Sequence, residues 1–268
     1  TYTALNFYDM NREDFYRHAS DKEERLLISR VLDIYEGAQR CGYVKNGRFL
    51  NLKEQKTAVA VLDRLGAAYS LEGGYEEAER KILVCCCDEM YMDIFELPLK
   101  ILDIKCRDGA KLSHRDYLGS VTGLGISRDM FGDIYTDENG AKIIVLDEIS
   151  DYVKEQLTKI GRYGVSVSVC SANEMKMPER KFKELSFTVS SLRTDSVISG
   201  CTGVSRSDAA ALIKAEKVTV NWDNTVSVSA HVNGGDIISV RGFGRFLVET
   251  TGATTKKGRI FVTAKKYI

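Results

Sequence analysis

The sequence predicts an α+β protein in three parts: a helical N-terminal unit, a central sheet with helices, and a small basic α/β domain at the C-terminal end. Three observations predict it. Apolar residues recur at helical spacing through the first 66 residues. Strand-like and helix-like segments then alternate as strand, helix, strand, strand, helix, strand between residues 97 and 170. Finally, residues 186–268 carry 11 Lys+Arg against 6 Asp+Glu, although the whole chain balances 38 against 38. A basic end on an acidic body points to a polyanionic partner.

The bulk composition is that of an ordinary globular protein, 44% apolar and 28% charged over 268 residues, enough for two or three domains. No apolar run approaches the roughly 20 residues a membrane helix needs, and no apolar leader stands at the start. A cytoplasmic protein that does not enter membranes is expected. The seven cysteines are odd in number and lack a Cys-x-x-Cys spacing. Three of them, Cys85, Cys86 and Cys87, are consecutive, so on a strand they face alternate sides and cannot share one metal. Buried, reduced thiols are expected, with no metal and no cofactor.

The first helix runs from Asp21, with Leu27, Val31, Ile34, Tyr35 and Ala38 on one face and Gly42 after its last turn. A second starts near Asn51, presents Val59, Leu62 and Leu65, and stops at Gly66. Residues 1–66 form the helical unit and residues 67–172 the central one. Gly73-Gly74 separates two short β-like runs in this second unit. A strand covers 97–106, and Ser113 caps a helix running to about Leu124. Residues 131–136 and 142–146 form a hairpin around Asn139-Gly140, a strong turn signal. Ile149, Tyr152, Val153, Leu157 and Ile160 make a helix closed by Gly161, and Val165, Val167 and Val169 alternate with serines as a strand. This order is that of a split β-α-β sandwich, ferredoxin-like or RRM-like, a sheet backed by helices. Residues 173–185, polar and holding Pro178, are the expected linker.

In residues 186–268 a short helix covers 192–198, stopped by Gly200 or Gly203. Ser205 caps the next, with Asp208 three residues on as a capping box and Ala209, Leu212 and Ile213 as the apolar stripe. Strands follow at 217–221 and 237–240, then the tip Arg241-Gly242-Phe243-Gly244-Arg245 and a basic hairpin around Lys256-Lys257-Gly258-Arg259. Arg206 is the informative residue. A cation in the first helical turn opposes the macrodipole by about 0.3–1 kcal/mol, yet the same turn offers free N–H groups to phosphate. An arginine there between two serines suits a phosphate-binding corner; an arginine paired with a nearby carboxylate is the alternative. Lys214 and Lys217 extend the track, and Arg241 and Arg245 flank glycines that permit close backbone approach.

Residues 192–245 resemble the RNA-binding domain named after ribosomal small-subunit protein S-four. The marks are Arg193/Asp195, Ser205-Arg206-Ser207, Val218-Thr219-Val220-Asn221 and Gly235-Asp236, in that order. Trp222 departs from the glycine that usually follows the asparagine. The resemblance implies RNA contacts at Arg193, Ser205, Arg206, Ser207, Lys214 and Lys217, with Asp195 and Asp208 as caps or ion-pair partners. The whole chain is similar to the YlmH-like proteins, often encoded beside cell-division genes in Gram-positive bacteria. Upstream this rests on Gly73-Gly74-Tyr75-x-x-Ala78-Glu79-Arg80, His114-Arg115-Asp116-Tyr117-Leu118-Gly119-Ser120, Gly123-Leu124-Gly125-Ile126-x-Arg128 and Gly132-Asp133-Ile134. That resemblance implies an RNA-binding central domain, with Arg80, His114, Arg115 and Arg128 facing RNA. It further implies a ribosome-associated role on large subunits stalled with peptidyl-tRNA.

Enzymes are the competing class, since such domains are often appended to RNA-modifying catalysts. The chain has no Gly-Arg-Leu-Asp-like aspartate, no Gly-x-Gly-x-x-Gly loop opening a helix and no Gly-Lys-Ser/Thr loop. His18, His114 and His231 are scattered. Glu79 and Asp116 suit caps or ion pairs better than general acid–base work. The expected protein is therefore non-catalytic: it binds structured rRNA or tRNA and associates with the large subunit, a monomer being favoured. The alternatives are an RNA-modifying enzyme targeted by its C-terminal domain, and a cell-division accessory protein acting through protein contacts.

Overall fold

The structure, a computed structural model, describes residues 11–17, 19–91, 95–106, 112–170, 182–224, 227–256 and 258–268. His18, residues 173–181 of the expected linker, and Lys257 of the basic hairpin lie outside the described residues. The chain divides into two compact units, residues 1–178 and 179–268.

In the first unit, α1 (Glu13–Tyr16) precedes the long helix α2 (Lys22–Cys41). Asp21 accepts a hydrogen bond from the Glu24 N–H at the start of α2, and Gly42, at φ 66°, ends it. Helix α3 (Leu52–Leu65) carries an Asn51/Glu54 capping box and stops at Gly66, φ 61°. The stripe on α2 is Ile28, Val31, Leu32, Tyr35 and Ala38, with Leu27 and Ile34 only half-buried. It is rotated from the predicted one because α2 packs on both α3 and a sheet.

That sheet corrects the purely helical expectation for residues 1–66. Strand β1 (Lys45–Leu50) lies between α2 and α3 and pairs antiparallel with β3 (Lys81–Cys86), which also pairs with β2 (Ala68–Glu72). As the central strand of three, β3 is apolar on both faces. Leu83 and Cys85 meet the helices, while Ile82 and Val84 face the other way. Burial pushes the Cys85 thiol up to about 12, so it stays protonated and inert.

The second sheet of this unit comprises β4 (Leu99–Cys106), β5 (Phe131–Thr136), β6 (Gly140–Leu146), β7 (Lys159–Ile160) and β8 (Tyr163–Cys170). Helix α4 (His114–Gly123) joins β4 to β5, and α5 (Asp147–Gln156) follows β6. The strand order is β5-β6-β4-β8-β7, every pair antiparallel; the β4-α4-β5 crossover straddles β6, and the β6-α5-β7 crossover straddles β4 and β8 before β7 turns back into β8. Helix α5 ends at Gln156, short of the predicted Ile160; Gly161, φ 56°, turns the β7–β8 hairpin instead.

One face of this sheet buries Leu102, Ile104, Ile143 and Val145 against Tyr117 and Val121 of α4 and Val153 of α5. The opposite face of β4 and β6 is buried too. Leu99, Ile101, Ile144 and Leu146 pack against Phe49, Ile82 and Val84 of the first sheet. The two sheets therefore share a core, and no break falls at residue 66. Gly132 lets β5 approach: a Cβ there would stand 2.7 Å from Cε1 of Phe49.

The second unit is a six-stranded antiparallel sheet of order β11-β10-β12-β13-β14-β9 with two helices. Its strands are β9 (Phe182–Val189), β10 (Val218–Val220), β11 (Asp223–Asn224), β12 (Ile237–Val240), β13 (Gly244–Thr254) and β14 (Ile260–Tyr267). Strand β9 thus begins inside the stretch expected as linker. Helices α6 (Thr194–Thr202) and α7 (Arg206–Lys214) bury Val197, Ile198, Ala209 and Ile213 against Val240, Phe246, Val248, Val262 and Ala264. Gly203, φ 79°, ends α6. Gly200 serves the packing, because a Cβ there would meet the Phe187 ring at 2.1 Å.

Among the described residues, no helix is long and apolar enough to cross a membrane.

Candidate nucleic-acid interface

Five cations of the basic unit, Arg193, Arg206, Lys214, Lys217 and Arg241, lie near the two ends of α7. Ser205 caps the helix, its Oγ accepting from the Asp208 N–H at 3.1 Å and donating to Asp208 Oδ2 at 2.6 Å. The Ser207 hydroxyl lies 2.7 Å from that of Ser205. Arg206 follows as the first helical residue, and its Nη2 donates to Oδ2 of Asp195 at 2.7 Å. Arg193 Nε donates to the other oxygen at 3.2 Å, and the Ser196 N–H adds 2.9 Å.

Asp195 has a side chain only 7% exposed, whereas Arg193 and Arg206 are 42% and 52% exposed. Burial acts to raise the Asp195 carboxyl, but hydrogen bonds from Arg206 and Arg193 outweigh it and hold the group below the usual carboxylate range. One buried anion thus fixes two cations whose remaining donors face water. It also offsets the macrodipole conflict that Arg206 would otherwise meet. Of the two alternatives in the sequence, the structure shows the ion-paired arginine, set at a capped helix start.

Backbone pairing adds a histidine. Arg193 forms an isolated antiparallel bridge with His231, flanked by bonds from Thr194 N to Ala230 O (2.9 Å) and Val232 N to Leu192 O (2.8 Å). Directly opposed residues place their side chains on the same side, so exposed His231 stands beside Arg193. No sequence signal marks it; 38 positions separate the two.

At the other end of α7, Lys214 and Lys217 are exposed, and the Arg241 N–H donates to the Lys217 carbonyl at 2.8 Å. Arg193, Ser205, Arg206 and Ser207 therefore group at one end of the helix, and Lys214, Lys217 and Arg241 at the other. Arg245 does not join them. It alternates with buried Phe246 along β13 and so points to the sheet face away from the helices. There its guanidinium lies over the rings of Trp222 (5.2 Å) and Tyr267 (5.5 Å).

The remaining motif residues of this unit are structural. Asn221 donates to Asp236 Oδ1 (2.8 Å) and accepts from the Ile237 N–H (3.0 Å), tying the Val-x-Val-Asn strand to the Gly-Asp turn. Asn221 and Trp222 both have positive φ, 51° and 68°, the backbone of a tight hairpin turn between Val220 and Asp223.

In the first unit the expected RNA-facing residues separate into two groups. His114 and Arg115 are exposed at the start of α4, where the Asp116 carboxylate accepts from both N and Oγ of Ser113 at 2.7 Å. Those bonds hold Asp116 below the usual carboxylate range, a cap's role. Arg80 and Arg128, by contrast, are half-buried. Arg80 donates to the Phe49 carbonyl at 3.1 Å. Arg128 donates to the carbonyls of Phe131 (2.5 Å) and Gly132 (2.9 Å), with its guanidinium over the Phe131 ring. Burial lowers Arg80. Burial and the neighbouring Arg80 push Arg128 down to about 10, still charged at neutral pH.

Asp133 ties this region together, accepting from the Tyr75 hydroxyl at 2.5 Å, the Glu79 N–H at 2.7 Å and the Arg80 N–H at 3.3 Å. The motifs at 73–80 and 132–134 are thus two halves of one clamp between the sheets. Arg80 and Arg128 face the fold rather than open solvent. Among the described residues no cluster of three His, Cys, Asp or Glu side chains is placed to hold a metal.

Residues 95–174 match the family described as "Putative RNA-binding domain in YlmH". The chain is 31% identical over 254 residues, covering 94% of itself and 98% of the relative, to the ribosome-associated protein quality control protein P2 of Bacillus subtilis. Among solved structures it is similar to the cell division protein ylmH from Streptococcus pneumoniae. That match has a TM-score of 0.48 and 23% identity, and covers 59% of this chain and 96% of the other. On identity and coverage, the chain belongs to the family of YlmH-like proteins.

Proposed function

We propose that this chain is a non-catalytic RNA-binding protein that docks on structured rRNA or tRNA at the large ribosomal subunit. The observation that carries the proposal is the Asp195-held pair Arg193 and Arg206 at the capped start of α7, with Lys214, Lys217 and Arg241 at its other end. A helix start that presents hydroxyls, free N–H groups and two oriented guanidinium groups recognises phosphate by shape and charge, without reading bases. The Bacillus subtilis relative is named for ribosome association, which supports the same partner.

In the central unit the exposed start of α4 is the second contact. Arg115, Gly119 and Gly123 follow one another at intervals of four along its outer side. A Cβ at Gly119 or Gly123 would meet nothing within 4 Å, so packing does not require either glycine. Two glycines in an exposed helix cost stability, and they leave room for a ribose–phosphate backbone to come close. Two modest sites on one chain raise the effective concentration of the second once the first is engaged.

Co-sedimentation with isolated large ribosomal subunits tests the proposal. Wild-type protein is expected to bind with a salt dependence of about −4 on a log–log plot, for about five neutralised phosphates. The Arg206→Glu variant is expected to melt lower, because Asp195 loses one of its two partners, and to bind at least about tenfold more weakly at a temperature where circular dichroism shows it folded. A flat salt response, or a variant that sediments like wild type, overturns it.

A further inference from the structure

The face of the second unit's sheet that lies away from its helices carries side chains that the helix-end contacts do not use. Strand alternation puts Phe246, Val248, Val262 and Ala264 against the helices, and their neighbours Arg245, Leu247, Lys265 and Tyr267 on the other side. Across this face runs a strip of rings and one cation. Trp222 at the β10–β11 turn lies over Arg245, Arg245 lies over Tyr267, and Tyr267 stands edge-to-face with Phe182 at 5.0 Å. The strip thus reaches from the β10–β11 turn to β9, the far edge of the sheet. Lys265 approaches the Phe182 ring at 5.8 Å and is itself paired with Glu249 at 2.5 Å.

Trp222 is the residue the fold does not explain. It is the chain's only tryptophan, and it occupies a left-handed position (φ 68°) that favours glycine or asparagine. The side chain is half-buried, yet absent from the core beneath the sheet. A bulky residue kept where glycine would sit more comfortably, with its ring beside an arginine, suggests a purpose outside folding.

We propose that this strip is a second RNA surface, which stacks the bases of unpaired nucleotides on Trp222 and Tyr267 while Arg245, held between the two rings, provides cationic contact. Every base has a π face, so aromatic platforms interleaved with cations take single strands with little sequence preference. Duplex RNA hides its base faces and is not a ligand for this strip. The proposal rests on the RNA-binding function above but concerns a different face, so the two separate experimentally.

The test uses full-length protein and two fluorescently labelled probes, a ten-nucleotide oligouridylate and a blunt hairpin with a closed tetraloop. Binding is followed by anisotropy, and unlabelled oligouridylate is titrated against the intrinsic Trp222 fluorescence. The oligouridylate is expected to quench Trp222. Trp222→Phe should keep oligouridylate affinity within about threefold, and Trp222→Gly should weaken it about tenfold or more, the cost of about one stacked base. Both variants should bind the hairpin like wild type, and Trp222→Gly should melt no lower, because glycine relieves the left-handed turn. The proposal is overturned if wild type shows no quenching, or if Trp222→Gly binds the oligouridylate unchanged. It is also overturned if Trp222→Gly melts lower and loses both probes, which would make the tryptophan structural. Hairpin binding that survives any of these leaves the helix-end docking intact. Loss of hairpin binding alone, in wild type, removes the docking and leaves the strip.

Discussion

The two large sheets of this protein are alike in being antiparallel with two helices on one side, yet they treat their other side in opposite ways. In the first unit, β4 and β6 turn Leu99, Ile101, Ile144 and Leu146 onto Phe49, Ile82 and Val84, and that face is closed by another sheet. In the second unit the equivalent face carries Arg245, Tyr267 and Trp222, all half-buried, in place of an apolar core. The arginines follow the same rule. Asp195 holds Arg193 and Arg206 at the surface, whereas Arg80 and Arg128 give their donors to backbone carbonyls beside Asp133. An arginine in a motif stays at the surface in one setting and is a strut in the other, and the difference is what its donors already hold.

The largest expected effect tests the closed face. Phe49→Ala should cost about 3–5 kcal/mol in chemical denaturation of the first unit, the loss of a fully buried ring from the core both sheets share. A loss under about 1 kcal/mol would mean that the two sheets are independent.

Asp195→Asn comes next, with about 2 kcal/mol at neutral pH, discounted because both arginines are more than one-third exposed. Its pH dependence follows from sign. The folded Asp195 carboxyl lies below its ordinary value, so its contribution is full above about pH 4 and lost as pH falls further through the lowered value. Wild type and variant should therefore converge in acid. A difference that persists there would mean the carboxylate charge is not what holds the arginines.

The smallest effect sharpens the comparison at α4. Gly119→Ala should raise stability by up to about 1 kcal/mol, since the helix gains propensity and the methyl meets nothing. The same variant should weaken association with ribosomal subunits. Unchanged association would show that no backbone passes that surface.

Much of this arrangement was legible in the sequence, because local rules governed it. The capping residues Asp21, Asn51 and Ser205 mark their helices correctly, and Asn139-Gly140 marks its hairpin. Strand β1 was missed because Lys45-Asn46-Gly47-Arg48 has no alternation, and its register is set by β3, some 36 residues on. The closed face has a local signal: Ile143-Ile144-Val145-Leu146 is apolar without alternation, as a strand buried on both sides should be. Leu157 and Ile160 continue the apolar spacing of α5 beyond its end, although they reach the same core from the helix C-cap and from β7. At the interface, the Ser205-Arg206-Ser207 corner followed from capping chemistry alone. The placement of His231 beside Arg193, and of Trp222 over Arg245, arises from long-range pairing that no local pattern encodes.

The closed face also bears on how this chain can be cut. Residues 95–174 form a recognisable sequence module, but excised at those bounds they would lose Phe49, Ile82 and Val84 and expose Leu99, Ile101, Ile144 and Leu146 together. A contiguous apolar patch of that kind drives self-association. The stretch that recurs as a family signature is thus shorter than the stretch that forms its core, and a soluble fragment would have to begin upstream of α2.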